Sequence, residues 1–194
     1  MRTASVERKT LETEIKINLN LDGTGVKNIK TGIKFFDHML EQLASHGYFD
    51  LDIQVNSLDK DAHHIVEDVA LSLGEAFRKA LSDKKGINRY GFTFIPMDEA
   101  LAQVSIDISG RPFCGFTANI QEEITSDLET ALVKHFFISF ATAGMLTLHI
   151  RLLDGEDPHH KIEAIFKAFA RALKHACSIN KEHSELLPST KGVI

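Results

Sequence analysis

The stretch Asp61-Ala62-His63-His64-Ile65-Val66-Glu67-Asp68 opens a helical pattern with two adjacent imidazoles and a carboxylate, and its lettering returns at Asp157-Pro158-His159-His160-Lys161-Ile162-Glu163, 159 − 63 = 96 residues later. On a helix each residue turns roughly 100°, so His63 and Glu67 share a face while His63 and His64 point about a quarter turn apart. Neighbouring histidines of this kind suit two metals better than one, and imidazole with carboxylate is a ligand set for divalent first-row ions.

The repetition extends beyond these pairs. The pattern Lys34 to Gly47 is helical, with apolar residues at 36, 39, 40 and 43 and Gly47 expected just past the helix end at C′. The helix containing His135 answers the one containing His38, and each is followed nine residues on by a glycine, 47 − 38 = 144 − 135. A register that aligns helices, glycines and ligand-type residues implies a tandem duplication. The expected fold is α+β: two half-domains, each a roughly four-stranded mixed sheet with two helices on one face, spanning residues 1–92 and 93–194 as one compact unit.

Alternating segments predict strands at Thr3–Lys9, Glu14–Leu21 and Tyr48–Val55 in the first half, with a turn at Asp22-Gly23-Thr24-Gly25. The helix begun by His63 runs to about Ala80 and the turn Asp83-Lys84-Lys85-Gly86. In the second half, strands are predicted near Tyr90–Pro96, Leu101–Ile108, Phe113–Ile120 and Leu146–Leu152. Helices follow from about Asp127 to Ala143 and from about Pro158 to Cys177.

Composition narrows the function. A net charge of −5 and no long run of one sign leave no basic field for nucleic acid. No apolar run approaches the ~18 residues of a membrane span, and Met1 to Glu7 lacks a signal peptide's apolar core, so an intracellular, cytoplasmic protein is expected. Cys114 and Cys177 make no disulfide framework and read as buried thiols.

His38, His63, His64, His135, His159 and His160, with Glu67 and Glu163, are the candidate metal ligands; His149, His175 and His183 stand alone and read as surface or satisfied core histidines. Two sets of three His and one Glu would leave room for substrate at five- or six-coordinate ions, unlike a closed tetrahedral zinc. Which histidine joins which glutamate stays open, as does whether the eight meet within one subunit or between subunits. His46 has Ala143 as its counterpart, so it reads equally as a substrate contact, a helix-end cap or a ligand.

These residues, with Phe36-Asp37-His38-Met39-Leu40, Ser45-His46-Gly47, Arg89-Tyr90-Gly91, Met97-Asp98-Glu99-Ala100, Ser109-Gly110-Arg111-Pro112, His135-Phe136-Phe137 and Pro188-Ser189-Thr190-Lys191-Gly192, give the chain a nearly end-to-end resemblance to the imidazoleglycerol-phosphate dehydratases of histidine biosynthesis. The resemblance implies the stand-alone form, without the fused phosphatase domain of some members. It implies a hydro-lyase that converts D-erythro-imidazoleglycerol phosphate to imidazole acetol phosphate and water. Two Mn²⁺ ions per active site would bind the substrate's imidazole and stabilise an imidazolate or diazafulvene-like intermediate as Lewis acids. Matching positions imply substrate contacts at Gln42, His46, Arg89, Arg111, Lys167, Ser189 and Lys191, the cations and hydroxyl facing the phosphate. Glu12 is the candidate acid/base, with His46 beside it; Glu67 and Glu163 serve catalysis as ligands. Asp98, Glu99 and Asp107 match family motifs without an assignable task. A homo-oligomer of 24 subunits, with active sites at contacts between chains and growth promoted by metal, is also implied. Against this stand a dimetal hydrolase and a metal-storing or metal-sensing binding protein. The first is disfavoured because strands separate the helices; the second would have no use for Arg111 or the Ser189 to Lys191 tail.

Overall fold

A computed structural model describes residues 1–194. The first repeat comprises β1 (Thr3–Lys9), β2 (Thr13–Asn20), β3 (Lys27–Lys30), α1 (Lys34–Gly47), β4 (Asp50–Ser57) and α2 (Ala62–Leu81). The second comprises β5 (Tyr90–Met97), β6 (Ala100–Asp107), β7 (Phe113–Thr117), a two-stranded hairpin β8 (Ile124–Thr125) and β9 (Leu128–Glu129), α3 (Ala131–Gly144), β10 (Thr147–Asp154) and α4 (Pro158–Cys177), followed by a short 3-10 turn, Lys181–His183. The sheets have the same order, β1-β2-β4-β3 and β5-β6-β10-β7, each with one parallel pair at the β3 or β7 edge.

Alternation along the strands dictates the layers. In β2, Ile15, Ile17 and Leu19 are buried while Lys16 between them is exposed, so one face of the sheet needs a cover. Helices α1 and α2 pack on the first sheet, and α3 and α4 on the second. The two helix pairs then pack against each other, α2 on α3 and α1 on α4, so the helices form a layer between the sheets. A single cluster of buried apolar side chains runs through both repeats, with Phe36, Phe136, Phe140, Phe166 and Phe169 among its members.

Several local expectations are corrected. Strand β3 is absent from the alternation pattern because only Ile29 of its four residues is buried. Helix α3 starts at Ala131 rather than near Asp127, because residues 124–129 form the hairpin. Asp127 instead caps the other repeat: its carboxylate accepts from the backbone N–H groups of Lys34 (2.9 Å) and Phe35 (2.9 Å), at the start of a helix whose own Ile33 cannot. Gly47 is the last helical residue, not C′; Tyr48 takes the left-handed position at φ 53°, as Met145 does after Gly144. The glycine is needed at 47 because a Cβ there would lie 2.4 Å from the Phe49 ring. The repeat register is 87 in the strand hairpins (100 − 13) and 97 from α1 to α3 (131 − 34), so ten residues around the β8–β9 hairpin are extra.

Candidate metal centre

Both histidine pairs are set by caps. Asp61 accepts from the N–H of His63 (2.8 Å) at the start of α2, and Asp157 accepts from that of His159 (2.7 Å) at the start of α4, where Pro158 takes the first helical position. The helix crossings then decide which candidate histidines and glutamates meet, a matter that periodicity leaves open. Because α1 lies on α4, His38 meets His159 and Glu163: Glu163 Oε2 is 3.0 Å from His159 Nε2 and 3.4 Å from His38 Nε2. Because α2 lies on α3, His135 meets His63 and Glu67: the two Nε2 atoms stand 3.7 and 3.8 Å from the Glu67 carboxylate oxygens, with the imidazole rings 4.4 Å apart. In each group the three ligand atoms lie within 4.8 Å of one another. Each group therefore takes one histidine from one repeat and a His/Glu pair from the other.

The donor set fits a divalent ion. Nε2 of His135 is buried and has no hydrogen-bond partner, an unsatisfied acceptor or donor that a protein interior rarely leaves without a ligand. His64 and His160 are not in these groups. Their quarter-turn offset carries them away from these groups, to where His64 Nδ1 is 2.6 Å from Asp59 and His160 Nδ1 is 2.8 Å from Glu99. The hydrogen bond to Asp59 raises the His64 pKa, and that to Glu99 raises the His160 pKa. The same contact, helped by the Asp157 and Glu156 backbone N–H groups, holds Glu99 down at about 2. An imidazole gripped through Nδ1 by a carboxylate presents Nε2, the usual arrangement of a metal-ligating histidine. Glu12, Asp59 and His64 make a third group of potential ligand atoms.

The flank of the His38 group is polar. Gln42 Nε2 is 3.4 Å from His38 Nδ1, and Lys167 Nζ is 2.8 Å from Glu163 Oε1. Burial works to raise the Glu163 pKa, but Lys167, His159 and His38 outweigh it and the carboxyl is lowered. His46, two turns beyond His38 on α1, has its pKa lowered by burial and by the charges of Lys167 and Arg171, so it is neutral at pH 7. The corresponding flank of the His135 group is Leu71, Ser139 and Ala143, at offsets of 96 and 97.

Arg89, Arg111, Ser189 and Lys191 lie elsewhere. The Arg89 N–H donates to Ala176 O (2.9 Å) at the far end of α4, and 176 − 159 = 17 helical residues separate that point from His159, about 26 Å at 1.5 Å per residue. There the Arg89 guanidinium pairs with Asp107 (2.7 Å) and donates to Pro188 O (2.8 Å), while Lys191 N–H and Ser189 Oγ close a turn in the tail (3.2 Å). Asp107 and Glu99 thus gain tasks that their motifs did not reveal. Asp59 was not anticipated at all; its only sequence signal is its place five residues before His64.

The family sequence model for imidazoleglycerol-phosphate dehydratase matches residues 31–173. The imidazoleglycerol-phosphate dehydratase of Chromobacterium violaceum is 49% identical over all of this chain and 99% of its own length. The histidine biosynthesis bifunctional protein of Spirosoma linguale is 54% identical, with this chain spanning 50% of it. Among solved structures, the imidazoleglycerol-phosphate dehydratase of Staphylococcus aureus superposes with a TM-score of 0.83 at 37% identity, covering 92% of this chain and 99% of that one. The Pyrococcus furiosus enzyme, solved in complex with (S)-C348, gives 0.84 at 34% identity, covering 97% of this chain and 100% of that one. With two repeats that jointly build paired histidine and glutamate groups, and with relatives of this similarity along its whole length, the chain belongs to the imidazoleglycerol-phosphate dehydratase family.

Proposed function

We propose that this chain is the hydro-lyase that converts D-erythro-imidazoleglycerol phosphate to imidazole acetol phosphate in cytoplasmic histidine biosynthesis, with two Mn²⁺ ions per site. The observation that carries the reading is the pair of His₂Glu groups, each assembled from both repeats, with the buried Nε2 of His135 left without a partner. His38, His159 and Glu163 would hold one ion, and His63, His135 and Glu67 the other. When bound, the ions supply Lewis-acid stabilisation of negative charge on the substrate's imidazole.

Completion of the site calls for other copies of the chain. His64 and His160, held through Nδ1 and outside both groups, would each give Nε2 to a neighbouring subunit's ion. Arg89, held at a point of α4 about 26 Å from His159 in the same chain, would with Arg111, Ser189 and Lys191 take the phosphate of a substrate held on another subunit's metals. Separation of these residues from the metal groups supports sites shared between subunits, as the 24-subunit assembly would provide. Lys167, Gln42 and neutral His46 line the substrate beside the His38 group. In the reaction, the carbon next to the imidazole ring loses hydroxide, its neighbour loses a proton, and the resulting enol becomes the ketone. Glu12, half-exposed beside His64 (3.6 Å), is the proton carrier proposed for these carbons.

Incubation with imidazoleglycerol phosphate and Mn²⁺, followed by ketone detection, tests the reading. Glu163→Gln should lose both turnover and one ion; retained activity would overturn the ligand assignment. Gel filtration before and after chelation should show a smaller metal-free species, and an unchanged size would count against shared sites.

A further inference from the structure

The duplication builds two equivalent glutamates, and the two are used differently. The β1–β2 turn, Thr10 to Thr13, corresponds residue for residue to the β5–β6 turn, Met97 to Ala100 (97 − 10 = 100 − 13 = 87), so Glu12 and Glu99 occupy the same place. Glu99 is fully engaged: Oε2 is 2.8 Å from His160 Nδ1, and Oε1 accepts from the N–H groups of Glu156 (3.1 Å) and Asp157 (2.8 Å). In the first repeat Asp59 performs that work, with Oδ2 2.6 Å from His64 Nδ1 and Oδ1 accepting from Asp61 N–H (3.0 Å). The counterpart of Asp59 is Gly155 (155 − 59 = 96), which has no side chain to offer. The anchoring carboxylate has moved into the loop before α2, and Glu12 is released from it.

A released side chain still needs a fixed turn beneath it. The N–H groups of Glu12 (3.1 Å) and Thr13 (3.0 Å) donate to Thr10 Oγ1. Thr13 Oγ1 in turn donates to Asp68 Oδ2 (2.6 Å), and Arg8 Nε donates to Asp68 Oδ1 (2.8 Å). Asp68 is 5% exposed and Thr13 is 0% exposed. One carboxylate on α2 therefore ties together both strands that flank the turn. At the same positions of the second repeat stand Ile95, Ala100 and Ala164, with the two alanines buried. The fold closes there with apolar side chains alone, so closing the turn does not by itself call for a buried carboxylate and its desolvation cost.

We propose that Asp68 is a positioning residue, acting through Thr13 and Arg8, that holds the Glu12 turn against the substrate. This rests on the reading that Glu12 exchanges a proton with the substrate. Installing the second repeat's residues, R8I/T13A/D68A, should leave a folded protein with full metal content and a KM within about threefold of the parent. Its kcat should fall about 10- to 100-fold, the scale expected when a reacting group is misplaced by about 1 Å. Amide exchange at Glu12 and Thr13 should quicken, and adding E12Q to this background should cost less than E12Q costs the parent. T13S, which keeps the hydroxyl, should retain parental kcat. A parental kcat in the triple variant alongside an inactive E12Q would overturn the positioning role and leave the role of Glu12 standing. A loss of metal, or a raised KM alone, would also overturn it, because the defect would then lie at Glu67 or in binding. If E12Q itself keeps parental kcat, the role of Glu12 fails, and the positioning role with it. Should the triple variant not fold, T13V removes only the hydroxyl and carries the same outcomes.

Discussion

The crossing of α2 over α3 joins the repeats and brings His63 to His135, so loosening it should affect stability and metal binding together. Gly74 of α2 lies at that crossing. A Cβ there would sit 2.6 Å from Phe140 O, 2.9 Å from Gly144 N and 3.0 Å from Ala143 Cβ, where ordinary contact begins near 3.4 Å. Gly74→Ala must therefore part the helices by roughly 0.8 Å (3.4 − 2.6). Overpacking of this kind costs about 1–3 kcal/mol, against a gain of about 1 kcal/mol from alanine's helix propensity. A net loss of up to about 2 kcal/mol lowers Tm by up to roughly 8 °C in a chain of this length. Gly144→Ala is the internal control: its Cβ would meet nothing closer than Leu146 Cδ2 at 3.4 Å, so it should be neutral or slightly stabilising. Thermal unfolding of both variants without metal, and Mn²⁺ titration of each, would measure the effect. A Gly74→Ala protein as stable as Gly144→Ala, with unchanged metal affinity, would refute the claim that this contact is closed to a methyl group.

The carboxylate of Asp50 accepts from the Thr24 and Val26 N–H groups and from Asn20, and these hydrogen bonds lower its pKa. A lowered carboxylate stabilises the fold above its unfolded pKa, so Asp50→Asn should be less stable than the parent at pH 7. That difference should shrink as pH falls through the folded pKa of Asp50, as read by urea midpoints. Burial pushes the thiols of Cys114 and Cys177 up to about 11, so a thiol reagent at pH 7.5 should label the native chain slowly and label two groups after denaturation. Fast native labelling of Cys177 would contradict its place in the core. Asp127→Ala removes the cap on α1 supplied across the repeats and should cost about 1 kcal/mol of stability, seen as a lower unfolding midpoint.

The helices and the histidines and glutamates of the two groups were legible as candidates because 3.6-residue periodicity and paired histidines are local signals. Strand β3 was not, since a four-residue edge strand with one buried side chain has no alternation to read. The role of Asp127 was hidden because its partner helix lies 127 − 34 = 93 residues earlier. The pairing of His38 with Glu163, rather than with Glu67, depends on which helices cross, and periodicity along one chain carries no information about that. The separation of Arg89 from His159 became visible only when α4 was placed between them, which turned a list of substrate contacts into an argument for several subunits.

Each His₂Glu group borrows one imidazole across the boundary between the repeats. Before any gene fusion, two copies of a single half-length chain related by a two-fold rotation would already have formed both groups, identical to each other. Joining them in tandem made the halves free to diverge, and the differing fates of Glu12 and Glu99 are what that freedom allowed: a symmetric pair of His₂Glu groups beside two unlike turns.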